Sequence, residues 1–148
     1  MAERSRPGVG LLLLCAGCLL PLAFGLAGCQ SPERAAVQPL PPNAGPLTYP
    51  DLVNRAKAQV AAGQEFFFRD SWTDVEQAAD ALRQTGELLG KLKPEDVPAN
   101  KRDMLAKQVK ELTDAAGALR EAGQAKDARA ATQAFQRLHL VVRELRPD

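Results

Sequence analysis

The chain has 148 residues, with 19 lysines and arginines, 18 aspartates and glutamates, and a single histidine. Its length suits one small domain once an export segment is removed. The near-neutral charge excludes the strongly basic surface typical of nucleic-acid binding. No cysteine follows Cys29, which excludes disulfides, thiolate metal sites and cysteine nucleophiles from the rest of the chain.

Residues 1–28 have the layout of a secretory signal peptide. The first six residues carry a net positive charge, and an apolar stretch without charged residues follows from Gly8 to Ala27. Cys15 and Cys18 have the spacing of a metal or redox pair. Because they lie inside this apolar stretch, we interpret them as small hydrophobic residues of the signal.

The signal ends in Leu26-Ala27-Gly28-Cys29, which resembles the lipobox of bacterial lipoproteins. The resemblance implies that a diacylglycerol is attached to the Cys29 thiol, that the signal is cut just before it, and that the new amino group is acylated. Since each buried methylene contributes about 0.8 kcal/mol, two or three acyl chains give stable anchoring. Cleavage there would remove Glu3, Arg4 and Arg6 and leave 17 residues of each charge.

The residue after Cys29 bears on the destination of the protein. It is Gln30 rather than aspartate, so the resemblance implies transfer to the outer membrane, facing the periplasm, in a host with two membranes. The alternative is an uncleaved transmembrane anchor, since about 20 apolar residues can span a bilayer. Pro21, several glycines and the lipobox favour cleavage.

Residues 29–48 are predicted to form a tether between the lipid and the domain. The segment contains five prolines, Pro32, Pro39, Pro41, Pro42 and Pro46. We expect a spacer without folded structure, because proline-rich chain is semi-rigid and extends about 3.1 Å per residue. Such a spacer would let the domain stand up to roughly 50 Å from the membrane.

Four amphipathic helices are predicted after the tether, from apolar residues that recur at spacings of three and four. The first runs from about Pro50 to Phe68, and the second follows Ser71, which we predict to be its cap together with Asp74. Pro94 and Pro98 mark the next loop. The inward positions of these two helices are Val53, Ala56, Val60, Gly63 and Phe67, then Trp72, Val75, Ala79, Leu82, Gly86 and Leu89.

The third helix is predicted from about Asn100 to Ala122, where Gly123 stops it, and the fourth from about Ala125 to Arg146. Their inward positions are Leu105, Val109, Leu112, Ala116 and Leu119, then Ala128, Ala131, Phe135, Leu138, Val142 and Leu145. Residues 49–148 are therefore predicted to be an all-α, up-down-up-down four-helix bundle. A three-helix bundle is the alternative if the first helix stays undocked.

Antiparallel packing predicts which residues share an end of this domain. Four aromatic residues, Phe66, Phe67, Phe68 and Trp72, are expected at one end, near the turn between the third and fourth helices. Tyr49, Leu52, Met104 and His139 are expected at the other end. We interpret the aromatic cluster as core and cap rather than a ligand site.

The mature domain resembles the cytochrome c-prime fold and its soluble b-type relatives, through this architecture and residues 135–143 of the last helix. In c-prime cytochromes this region carries C-x-x-C-H and then an arginine, and His139 and Arg143 keep that spacing. Phe135 and Leu138 stand where the two thioether cysteines would be, so covalent haem attachment is excluded. The b-type relatives hold haem between a histidine of the last helix and a methionine of the first.

His139 matches the histidine of the b-type relatives, whereas Leu52 or Val53 stands at the methionine position. Met104, expected within about one turn of His139, is the only outside candidate for a second ligand. We therefore expect no cofactor and no metal, and keep non-covalent haem binding as the alternative. For His139 the plain interpretation is a boundary histidine, and for Met104 a residue that fills a helix end.

The function predicted from these residues is a non-catalytic, membrane-anchored envelope lipoprotein that contacts an envelope protein or a cell-wall component or supports envelope structure. No serine lies in a nucleophile context, and acidic residues such as Asp74 and Asp80 follow a polar helix face rather than forming a carboxylate pair. The alternative function is electron transfer or haem sensing through non-covalent haem. No enzyme activity is expected.

Lipidation of Cys29 is the first testable prediction. Metabolic labelling with a fatty acid should mark the protein, because the thiol and the new amino group receive acyl chains. The Cys29→Ser variant should carry no label, since a hydroxyl at this position does not accept the diacylglycerol. Label that persists in this variant would contradict the prediction.

Overall fold

The computed structural model describes residues 32–41 and 45–146; the predicted signal and Cys29 lie outside the described residues. Its helices are α1 (Pro32–Val37), α2 (Tyr49–Phe68), α3 (Trp72–Leu89), α4 (Arg102–Ala125) and α5 (Ala128–Leu145), with short 3₁₀ helices at Pro94–Asp96 and Ala99–Lys101. The all-α prediction is confirmed. Within these residues, no helix is long and apolar enough to cross a membrane.

The tether segment departs from the expected unfolded spacer, because it contains α1. This helix packs against α2 and α3, and its last residue, Val37, is buried. The Arg55 guanidinium donates to the Gln38 carbonyl oxygen at 2.6 Å, and Arg34 lies 3.7 Å from the Asp74 carboxylate. Burial of an apolar side chain and these two polar contacts offset the entropy of ordering a helix too short to be stable alone.

α2 begins with a capping box that the sequence pattern had not singled out. The Thr48 hydroxyl accepts from the Asp51 amide, and the Asp51 carboxylate accepts from the Thr48 amide at 3.0 Å. Both bonds to the carboxylate, from the hydroxyl and the amide of Thr48, hold the pKa of Asp51 below its usual value. Pro50 lies in the first helical turn, as predicted.

Ser71 precedes α3 as predicted, but its side chain does not cap the backbone. The Ser71 hydroxyl donates to the Asp74 carboxylate at 2.7 Å, but its oxygen accepts no bond from an amide of the helix. The prediction that Ser71 is a side-chain cap was therefore wrong. The bond instead holds Asp74, the residue that Arg34 of α1 reaches.

α4 continues past the glycine that was predicted to stop it. Gly123 is buried within the helix, and a Cβ there would lie 2.9 Å from Glu76 Cγ of α3. The glycine thus permits close approach of two helices rather than ending one. The helix ends at Ala125, where Lys126 adopts a left-handed conformation (φ 52°), and Asp127 then caps α5 by accepting from two amides.

The predicted inward faces supply most of the core, although some predicted positions differ, and Trp72 is one that is only half-buried. Phe66 rather than Phe67 is the fully buried aromatic residue at the end of α2. Leu105 and Val109 are half-buried because they lie in the first two turns of α4, and Ala128 is exposed at the start of α5. α2 is docked against both α3 and α5, which speaks against the alternative of three packed helices.

Core packing gives a matched pair of variants. Leu112 of α4 is fully buried (0% exposed), whereas Leu140 of α5 is 50% exposed. Leu112→Ala should lower the free energy of unfolding by about 2–5 kcal/mol, since it removes buried methyl groups and leaves a cavity. Leu140→Ala should change it by less than about 0.5 kcal/mol. Chemical denaturation of the two variants checks this, and equal losses would contradict the assignment of the core.

Candidate functional site

His139, the predicted haem ligand, lies on the outer side of α5. Its imidazole is exposed and 3.1 Å from the Gln64 side-chain oxygen, near the far end of α2 from Tyr49. The expected grouping of His139 with Tyr49 was therefore wrong. The exposure of His139 follows from the helical period: Leu138 occupies the buried seam, so the next residue points away from it.

Met104 is also exposed, at 44%, and the structure does not bring it to His139. The Gln108 side chain donates to the Glu144 carbonyl oxygen at 3.4 Å, which aligns these two residues of α4 and α5. Along the helix axes, Met104 lies on one side of the Gln108–Glu144 contact and His139 on the other. Their separation along the axis is about nine residues of helix, on the order of 13 Å. The prediction that Met104 lies within about one helical turn of His139 was therefore wrong.

The positions that face inward near His139 are filled by large apolar side chains. Phe135 is 3% exposed and Leu138 is 0% exposed. The Phe135 ring packs so closely on α2 that a Cβ on Gly63 would lie 3.3 Å from its Cε1 atom. Leu52 and Val53, at the methionine position of the b-type relatives, are equally buried.

The outer surface of α5 carries the candidate functional site, an open depression along one face of the helix. We call it the α5 stripe, and it consists of Gln136, His139, Leu140, Arg143 and Arg146. Positions three and four apart on a helix share a face, which is why these side chains form one row. Leu140 gives the row an apolar centre between polar neighbours.

Within the described residues, the arginines of α5 make no ion pair, whereas several basic residues of the other helices do. Arg69, Lys107, Lys110 and Arg120 each pair with a carboxylate within 4 Å. In the part of the chain that the structure describes, Arg129, Arg137 and Arg143 make no ion pair. Since Glu144 is the only acidic residue of α5, this helix presents a positive surface on a chain of nearly zero net charge.

Sequence reasoning missed this surface because it counted charge over the whole chain. The signal that would have found it is the distribution of charge by helix: α5 has three arginines and one glutamate, whereas α2 and α4 have equal numbers of acidic and basic residues and α3 has four acidic residues and one arginine. No group of three histidine, cysteine, aspartate or glutamate side chains within residues 32–41 and 45–146 is placed to hold a metal ion.

No family model matches the chain, and neither does any curated protein or solved structure.

Haem binding is testable on the whole mature protein. We expect titration with hemin to give no saturable one-to-one Soret shift, because Phe135 and Leu138 occupy the volume that a porphyrin would need. The control is the His139→Ala variant, whose spectrum should match that of the parent protein. A saturable shift that this variant loses would overturn the prediction and favour the haem alternative.

Proposed function

We propose that this chain is a lipid-anchored protein of the bacterial envelope whose helical domain binds an acidic partner protein and catalyses no reaction. The lipobox resemblance at Cys29 supports the anchor and, with Gln30, an outer-membrane location facing the periplasm in a host with two membranes. The single observation that carries the binding role is the α5 stripe, where an exposed leucine lies among arginines that make no ion pair with any described residue.

We further propose that α2 to α5 form the predicted up-down-up-down bundle. Two supporting contacts join the first part of one helix to the end of another: Tyr49 contacts Leu145, and Gln108 contacts Glu144. A third joins Gln59, in the middle of α2, to Thr85 in the second half of α3. In such a bundle each long helix has one face toward solvent, and the face of α5 is then available to a partner.

The chemistry of the α5 stripe favours a protein over a cell-wall polymer. Guanidinium groups bind carboxylates through paired hydrogen bonds, so Arg143 and its neighbours suit an acidic surface. Leu140 is 50% exposed at the centre of the row, and a protein partner can cover it with apolar side chains. A polysaccharide would offer far less apolar surface. An apolar centre with a charged rim is the common anatomy of protein interfaces.

The proposal is tested by photo-crosslinking in the cells that produce the protein. A photo-crosslinking amino acid in place of Leu140 should give a defined crosslinked species, and one in place of the comparably exposed Met104 should not. Charge reversal by Arg143→Glu should reduce the species formed at position 140 by about tenfold or more, since it replaces attraction by repulsion.

Mass spectrometry of the crosslinked species decides the chemistry of the partner. A protein with an acidic surface supports the proposal. Crosslinks to glycan fragments, equal crosslinking from positions 104 and 140, or a yield that Arg143→Glu leaves unchanged would overturn it.

A further inference from the structure

α1 fixes which end of the domain lies near the proposed lipid. Arg34, in its first turn, reaches Asp74 at the beginning of α3, and Gln38, just after it, receives a hydrogen bond from Arg55 in the first half of α2. α1 therefore runs antiparallel to α2, and its first residue, Pro32, is directed toward the turn between α2 and α3.

The chain between α1 and the lipid is short. Cys29 precedes Pro32 by three residues, and a fully extended chain spans at most about 3.6 Å per residue. The lipidated thiol would thus lie within roughly 11 Å of the beginning of α1 along the backbone. The docked helix thereby replaces the roughly 50 Å of free reach that an extended tether would give.

The turn at this end presents an aromatic side chain to solvent. Phe68, the last residue of α2, is 71% exposed, the largest exposure among the large hydrophobic residues of the described chain. Its ring lies 6.0 Å from that of Phe67, which in turn packs edge-on against Trp72 at 5.6 Å. Phe68 is thus the outermost member of an aromatic group whose other rings are partly covered by the domain.

The residues next to Phe68 favour a shallow position at a membrane. Arg69 and Asp70 follow it directly, and both are exposed. Charged side chains keep a turn at the level of the lipid headgroups, whereas moving an aromatic ring from water into the membrane interface is favourable in free energy. Lys126, in the turn between α4 and α5, is exposed at the same end, since the nearby Gly123 lies against the beginning of α3.

We propose that the turn between α2 and α3 docks on the lipid surface that holds Cys29, with the Phe68 ring inserted in the interface. This rests on the proposed lipidation. Contact with the membrane covers the exposed Phe68 ring. The docked α1 sets the distance between Cys29 and this turn. The α5 stripe then faces the aqueous space, and Arg146 lies at the end of the domain farthest from the lipid.

Spin labelling of the full lipidated protein tests the docking. Beyond Cys29, whose thiol carries the lipid, the mature chain has no cysteine, so Phe68→Cys and Met104→Cys each provide one labelling site. The proteins are reconstituted in vesicles of phosphatidylethanolamine and phosphatidylglycerol. A label at position 68 should collide freely with oxygen and be shielded from a water-soluble nickel chelate, and a label at position 104, at the opposite end, should show the reverse.

A second measurement leaves Phe68 in place. Trp72 is the only tryptophan, so lipids brominated near the glycerol backbone should quench its emission in the lipidated protein more than lipids brominated at the chain ends. Equal nickel accessibility at positions 68 and 104, or no quenching of Trp72, would overturn the docking. A protein that carries no fatty acid by mass spectrometry would instead contradict the proposed lipidation, so the two failures are distinguishable.

Discussion

The hydroxyl of Tyr49 joins the first long helix to the last, and the closure of the helical domain depends on it. The side chain is fully buried (0% exposed), and its hydroxyl donates to the Leu145 carbonyl oxygen at 2.5 Å. The last carbonyls of an α-helix have no partner within the helix, so this bond satisfies two buried polar groups at once. Burial also raises the pKa of Tyr49, which keeps the hydroxyl protonated as a donor.

Small residues set how closely α3 and α4 approach each other. A Cβ on Gly86 would lie 2.8 Å from the Thr113 methyl carbon, and one on Gly123 would lie 2.9 Å from Glu76 Cγ. The two glycines therefore act near opposite ends of the same helix pair. Between α2 and α3, the buried Thr85 hydroxyl donates to the Gln59 side-chain oxygen at 2.9 Å, a polar contact that fixes the register of neighbouring helices.

The docked α1 links the proposed anchor to the proposed binding surface. It ties the chain that follows Cys29 to the domain through Asp74, which Ser71 holds in place. With the turn after Phe68 near the lipid, residues 128–143 of α5 rise about 22 Å along the helix away from that end. A partner on the α5 stripe would then approach through the aqueous space rather than through the membrane.

The sequence by itself was enough for the helical class, the approximate helix limits and most of the buried faces. These follow from the 3.6-residue period and from Pro50, Pro94 and Pro98, which are local signals. It also supplied the lipobox resemblance at Cys29, which is a linear motif. Residues such as Leu112 and Leu138, predicted as inward, are fully buried.

Only the tertiary structure decided what depends on contacts between distant residues. A glycine at position 123 is typical of a helix end, but Gly123 lies within α4, where the absence of a side chain lets Glu76 of α3 pack against it. Ser71 matches a cap pattern, yet its side chain bonds only to the Asp74 carboxylate and to no amide of the helix. The prolines around α1 predicted an unfolded tether, but Val37 of this helix is buried in the core. In each case a local preference of about 1 kcal/mol was outweighed by burial or by a polar partner that the helix packing supplied.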